Sequence, residues 1–230
     1  MKRAFVRARR PEHKQQRREA ILAAARDLAV ASGVRNVSLG AVAEAVGLAK
    51  SNIMRYFGTR EEIYLILAAE EWRQWAEAVT TRLEAAPDDG TATVTARLEA
   101  SSDDVVAALA ETLADRPLLC DLLSETATTL EQNVSVEAAR TFKHAILAVV
   151  ADLGSQVARA TGLTVGEGRE LVSVATAFAG ILYPIAHPSP TLAELYAQDP
   201  DIAANCPDFL PTLTRALKAL LAGLPAIRES

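Results

Sequence analysis

The amino-acid sequence predicts an all-α protein in two parts, a small N-terminal helical domain and a larger helical body. Three observations carry that reading. Apolar residues recur three and four apart rather than alternating, which is the period of helices with one buried face. Alanine and leucine dominate, and only 11 glycines and 10 prolines interrupt 230 residues, a length that can bury one sizeable core or two smaller ones. Charge is divided unevenly. Residues 1–60 hold 13 Lys and Arg against 4 Asp and Glu, while residues 61–230 hold 11 against 25, so a head of +9 precedes a body of −14. One end suits a polyanion and the other would be repelled by it.

Residues 1–15 are basic and without period, and read as a flexible arm. A first helix is expected over about residues 16–32, where Ile21, Leu22, Ala25, Leu28 and Ala29 form one apolar stripe. Gly33 stands where a helix end takes a residue tolerant of left-handed geometry. Ser38 is a good N-cap for a short helix over 39–46. Gly47-Leu48 then turns the chain into a third helix over 49–57, which Gly58 ends. Thr59 and Glu62 have the spacing of a reciprocal capping box. They open a fourth helix that runs to about Ala85, where Pro87-Asp88-Asp89-Gly90 stops it. Further helices are expected at about 92–114, 117–131, 135–160, 165–186 and 208–223, with 187–207 a loop holding one helical turn near 192–197. The domains are then an arm (1–15), a head (16–60) and a body (61–230).

Two short helices joined by a glycine-containing turn, in the most basic part of the chain, have the form of a helix-turn-helix. Val42, Val46, Leu48, Ile53 and Phe57 can share a small core with the first helix. That leaves Lys50, Ser51, Met54 and Arg55 on the outer face of the third helix, where a major groove can accept them. The pattern alone does not require DNA, since such packing also occurs in enzymes.

The stretch from Ser38 to Ile63, SLGAVAEAVGLAKSNIMRYFGTREEI, resembles the DNA-binding signature of the tetracycline-repressor (TetR) family. The resemblance extends back through RREAILAAARDLAVASG and covers about residues 17–65. Its most specific elements are the Ala-Val-Gly-Leu turn, the Arg-Tyr-Phe closing helix three and the Thr-Arg-Glu-Glu opening helix four. It implies that the Ser38 hydroxyl meets a phosphate, and that Lys50, Ser51, Asn52 and Met54 occupy recognition positions facing base edges and nearby phosphates. It further implies a DNA-backbone hydrogen bond for Tyr56 and a phosphate contact for Arg60.

Three positions depart from the family pattern: Ala49 replaces Ser or Thr, Ser51 replaces Gly, and Met54 replaces Tyr. The base preferences of other members therefore do not transfer. Each role also has a plainer alternative: a solvated Lys50, a structural Tyr56, an exposed helix-start Arg60. In the arm, Lys2, Arg3, Arg7, Arg9 and Arg10 either enter a minor groove or attract DNA weakly without specificity.

The last helix carries Leu213, Leu217, Leu220, Leu221 and Leu224 on one broad stripe, and Leu171–Ala186 is apolar nearly all round. The resemblance implies that these two helices, about 165–186 and 208–223, pair with their copies in a homodimer. The alternative is burial within one subunit. An effector pocket is expected between the middle helices, with Trp72, Trp75, Phe142, Phe178 and Tyr183 as walls and Cys120 and His144 as polar contacts. The plainer reading of those aromatics is core.

Catalysis is not expected. His13, His144 and His187 have no metal-ligand or triad-like neighbours, and neither a phosphate-binding glycine loop nor a Gly-x-Ser-x-Gly elbow is present. Cys120 and Cys206 lie far apart, outside any metal-ligand spacing, so no metal or cofactor is expected. The basic N-terminus has no apolar run behind it, and Leu171–Ala186 is shorter than the ~20 residues of a membrane span. A cytoplasmic protein without a membrane partner is expected. The sequence thus points to a DNA-binding regulator, a ligand-responsive repressor acting as a dimer on a palindromic operator. Its rivals are a helical protein-interaction module that has lost DNA binding, which the missing hydroxyls at 49 and 54 favour, and, behind that, an enzyme.

Overall fold

A computed structural model describes residues 5–85 and 94–228, and among these residues all regular structure is helical. The head comprises α1 (Phe5–Ser32), a 3-10 turn (Val34–Asn36), α2 (Leu39–Ala45) and α3 (Lys50–Ile53). The body comprises α4 (Arg60–Ala85), α5 (Val94–Ala114), α6 (Pro117–Glu125) with a π-helical turn after it (Thr126–Leu130), and α7 (Val136–Thr161). It continues through α8 (Val165–Ala186), α9 (Pro190–Gln198), α10 (Pro200–Ala203) and α11 (Phe209–Ile227). The Pro87–Gly90 stop signal, Lys2 and Arg3 lie outside the described residues, as do the side chains of Arg7, Arg9 and Arg10.

Two expectations about local structure are corrected. The arm is helical from Phe5, because α1 starts there rather than near residue 16. Residues 12–17 are exposed and rich in straight-chain helix formers. They lack an apolar stripe because that stripe reports packing, not helicity. The segment 187–207 holds two helices instead of one turn. Pro190 and Pro200 each stand in a first helical turn, where the missing N–H costs nothing, so they start helices rather than break them.

Two apolar clusters organise the chain. In the head, Ile21, Ala25, Val34, Val42, Ile53 and Phe57 are buried together with Ile63, Tyr64 and Leu67 of α4, and with Leu122, Leu130 and Phe142 of the body. The head core therefore continues through the first two turns of α4. In the body, Trp75, Val79, Leu109, Leu113, Leu153, Leu171, Leu213 and Leu217 form the second cluster.

Helices α7 and α8 approach so closely that a Cβ on Gly168 would lie 2.2 Å from the Gly154 carbonyl oxygen. Only glycine permits that crossing. By length and composition α8 could cross a membrane, yet Leu171, Val172, Ala175, Ala179 and Leu182 are buried in the protein core.

Three leucines of the α11 stripe are taken up inside the protomer, while Leu220 and Leu221 are half-buried. Leu213, Leu217 and Leu224 are buried within the protomer, where α11 packs on α5 and α8. An amphipathic stripe says that a helix needs a partner, not that the partner is another chain. On α8, by contrast, Val174, Ile181 and Ile185 remain exposed, with Ala177 and half-buried Phe178 on the same face. Ile181 is 63% exposed.

Candidate nucleic-acid interface

Ser38 caps α2 as expected, its hydroxyl accepting the Ala41 N–H at 3.1 Å. The chain then reverses at Gly47, whose φ of 63° is left-handed, and the Leu48 N–H reaches back to the Ala43 carbonyl at 2.9 Å. Ala49 caps α3 without a side-chain bond. The helix is also short: after Ile53 the chain continues in tight turns, the Arg55 N–H donating to the Asn52 carbonyl and the Tyr56 N–H to the Ile53 carbonyl. Ile53 and Phe57 anchor this segment at 0% and 3% exposure. The anchoring turns Lys50, Ser51, Asn52, Met54 and Arg55 outward, all exposed, with Tyr56 half-buried beside them.

Beside this row lies a concavity of about 870 Å³, bounded by His13, Lys14 and Arg17 of α1 and by Asn52, Arg55 and Tyr56. Lys14 and Arg17 were not singled out from sequence. The signal available for them was the +9 of the head; Arg17 already lay on the expected first helix, while Lys14 gains a position from the helix starting at Phe5. Arg18, one position on, turns inward. It donates to the Tyr56 carbonyl at 3.1 Å and lies 4.4 Å over the Phe57 ring, so it clamps the last turn of the recognition segment.

Arg60 faces inward as well. Its guanidinium donates to the carbonyls of Val34 and Val37, pairs with Glu61 at 3.3 Å and stacks 4.7 Å from the Tyr64 ring, with 15% of the side chain exposed. Thr59 and Glu62 form half of the expected capping box. The Glu62 N–H donates to the Thr59 hydroxyl at 3.2 Å, but the Glu62 carboxylate accepts from the Gly58 N–H at 2.9 Å and from the N–H and hydroxyl of Ser135. Burial raises the pKa of that carboxylate, yet Ser135, Gly58 and nearby Arg18 together outweigh burial and hold it below the ordinary value.

Head and body are joined by polar contacts across α1, α4 and α6. Asp121 accepts the Val34 N–H, Arg35 pairs with Glu125 at 3.0 Å, and Arg26 bridges Glu70 and the buried Glu71. Arg116 stands 3.7 Å from Glu71 on the other side.

The side chains expected to form the effector pocket are divided. Trp72 and Trp75 meet edge to face at 5.6 Å, and the Trp75 indole donates to the Thr112 hydroxyl at 2.9 Å. Cys120 is buried in the same cluster, and burial, with Asp121 adding to it, pushes its thiol up to about 12. Phe178 and Tyr183 pack on that cluster from its edge, Tyr183 stacking 4.3 Å from His187. Phe142 belongs instead to the head cluster. His144 is exposed on α7, since that helix buries Phe142, Val149 and Leu153 on its other face. The structure thus brings five of the seven together and separates Phe142 and His144 from them.

A compact helical head with an outward basic row, joined to a larger helical body, defines a helix-turn-helix protein of the two-domain type. Residues 21–67 match the model of the bacterial regulatory proteins of the tetR family, and residues 69–228 match the model of the tetracyclin repressor-like C-terminal domain. The chain belongs to the TetR family of transcriptional regulators. No curated protein matches the chain in sequence. Among solved structures it is similar to Thermus thermophilus FadR, a TetR-family transcriptional repressor in complex with lauroyl-CoA, with TM-score 0.55 and 16% identity over 90% of this chain and 93% of that one. A possible TetR-family regulator from Streptomyces coelicolor A3(2) gives 0.53 and 20% over 91% and 99%. The fatty acid degradation regulator FadR from Bacillus halodurans gives 0.51 and 15% over 90% and 94%. At these identities the likeness is one of fold.

Proposed function

We propose that this regulator is a ligand-responsive repressor that binds a palindromic operator as a dimer. The observation that carries the reading is the exposed row Lys50, Ser51, Asn52, Met54 and Arg55, held outward by buried Ile53 and Phe57 and flanked by Lys14 and Arg17. In this reading Lys50, Ser51, Asn52 and Met54 meet base edges, while Arg55, Tyr56, Lys14 and Arg17 meet phosphates. Ser38 keeps its hydroxyl hydrogen free for a phosphate while the oxygen caps α2. Arg60 is a positioning residue, because three of its five N–H donors hold Val34, Val37 and Glu61 and its side chain is turned inward.

The dimer forms through the outward row of α8 around Ile181; Leu192, Leu195 and Ile202 of α9 and α10 are exposed in the protomer as well. Repression and ligand response are supported by the description of the Thermus thermophilus relative as a repressor in complex with lauroyl-CoA. The effector acts on the body, and Trp72 and Trp75 serve as its fluorescent reporters.

Fluorescence anisotropy with labelled duplex from the protein's own upstream region tests the reading. Saturable binding that Lys50→Ala weakens and mixed-sequence competitor does not abolish is expected. Binding of all duplexes with equal affinity would overturn the operator claim.

A further inference from the structure

Where head meets body, α1, α4 and α7 enclose a groove of about 510 Å³ whose charges are unevenly satisfied. Its floor is apolar, built from Leu65, Ile66 and Ala69 of α4 and Phe142 and Ala145 of α7. Two carboxylates reach the wall, and both are engaged. Glu62 accepts from Gly58 and Ser135, and Glu137 pairs with Arg140 at 2.7 Å. Two guanidinium groups reach it as well; neither forms an ion pair among the described residues, although Arg18 is near enough to Glu62 to lower its pKa. Arg18 donates to the Tyr56 carbonyl, and Arg73 donates through Nε to the Ala69 carbonyl at 3.1 Å. Beyond Arg73 a second trough of about 400 Å³ lies between α4 and α7; Glu77 and Asp152 line it beside Ala76, Val149 and Leu153, so the surroundings that suit an anion end at Arg73.

We propose that this groove binds a small amphipathic anion, its chain on the apolar floor and its charged head on Arg73. The chemistry follows from what each group lacks. The floor offers area whose removal from water favours an apolar chain. The engaged carboxylates add no free acceptor for a cation, while the Arg73 fork presents donors that match a carboxylate or sulfonate. The position gives binding a consequence. Arg18 and Tyr56, which border the groove, form the clamp on the last turn of the recognition segment. A chain that runs from Arg73 along the floor as far as Phe57 presses on that clamp, and operator affinity falls. This second half rests on the proposed DNA binding; the site itself does not.

Decanoate and its uncharged counterpart decanol are the probes, titrated into the full chain by calorimetry and by Trp72 and Trp75 fluorescence. Decanoate is expected to bind about tenfold or more tightly than decanol, the order expected of a charge-assisted hydrogen bond. Arg73→Gln should remove that difference, and Ala145→Phe, which fills the floor, should weaken both probes. Arg159→Gln, an exposed arginine elsewhere on α7, should change neither.

Equal binding of the two probes, unchanged decanoate affinity in R73Q, or an absence of decanoate binding would each overturn the site. With operator present, decanoate should lower DNA affinity about fivefold or more. Unchanged operator affinity with decanoate bound would overturn the coupling alone. Arg73-dependent decanoate binding by a protein that binds no DNA would support the groove and count against the proposed function.

Discussion

The Asp121 carboxylate on α6 accepts the backbone N–H of Val34 at 2.6 Å, joining the body to the head across 87 residues of chain. Val34 is fully buried, so that donor has no water to turn to. Asp121→Ala should cost about 1–3 kcal/mol in urea melts, the penalty of an unsatisfied buried N–H.

Asp121→Asn can still accept the bond, and it separates charge from geometry. Burial pushes the Asp121 pKa above its ordinary 3.8, with Glu125 adding to the rise and the Val34 N–H and Arg35 opposing it. For a carboxyl raised in the folded state, the contribution to stability is full below the ordinary pKa and is lost as pH rises through the folded value. The wild type should therefore lose more stability than D121N between about pH 4 and pH 7. Parallel pH profiles for the two proteins would mean that Asp121 is not raised.

Two substitutions separate the outward apolar face from the inward one. Ile181→Glu lies on the exposed row of α8 and should give a folded monomer with weak operator binding. Leu217→Glu places a carboxylate in the protomer's own core and should unfold it, the cost of an unpaired buried charge being several kcal/mol. Sedimentation and circular dichroism distinguish the two. A dimeric I181E protein would place the interface elsewhere.

Lys50→Ala and Arg60→Ala should fail in different ways. The first should cost about 1–3 kcal/mol of operator affinity at one half-site position with melting unchanged. The second should lower the melting temperature, because it removes the guanidinium that ties the Val34 and Val37 carbonyls to α4. A K50A protein that melts early, or an R60A protein that melts normally, would reverse these roles.

Gly168→Ala should destabilise the α7–α8 crossing by about 1–3 kcal/mol through overpacking, read as a shift in urea midpoint. Wild-type stability in G168A would mean that the helices separate freely there.

The head was legible in the sequence because its spacing is dense with constraint. Ser38, Gly47, Ile53 and Phe57 each admit one local role, and together they orient Lys50 to Arg55. What stayed hidden depends on contacts between distant segments. The carbonyls that occupy Arg60 come from Val34 and Val37, and nothing at residues 59–62 announces them. The same holds for Leu217, whose stripe is visible while its partners on α5 and α8 are not. His144 and Phe142 were drawn into one pocket by residue type, yet they are two positions apart on a helix and so point to different sides.

Operator binding as a function of salt tests the DNA-binding reading most directly. A dimer seating two recognition helices about 34 Å apart in successive major grooves should bind an inverted repeat with that spacing. If each half contributes Lys14, Arg17, Arg55 and their neighbours to phosphates, about 6–10 contacts in all, affinity should fall roughly 10³- to 10⁵-fold between about 50 and 200 mM salt. A folded, dimeric protein whose affinity for duplex DNA stays flat across that range, or that binds no duplex at low salt, would contradict it.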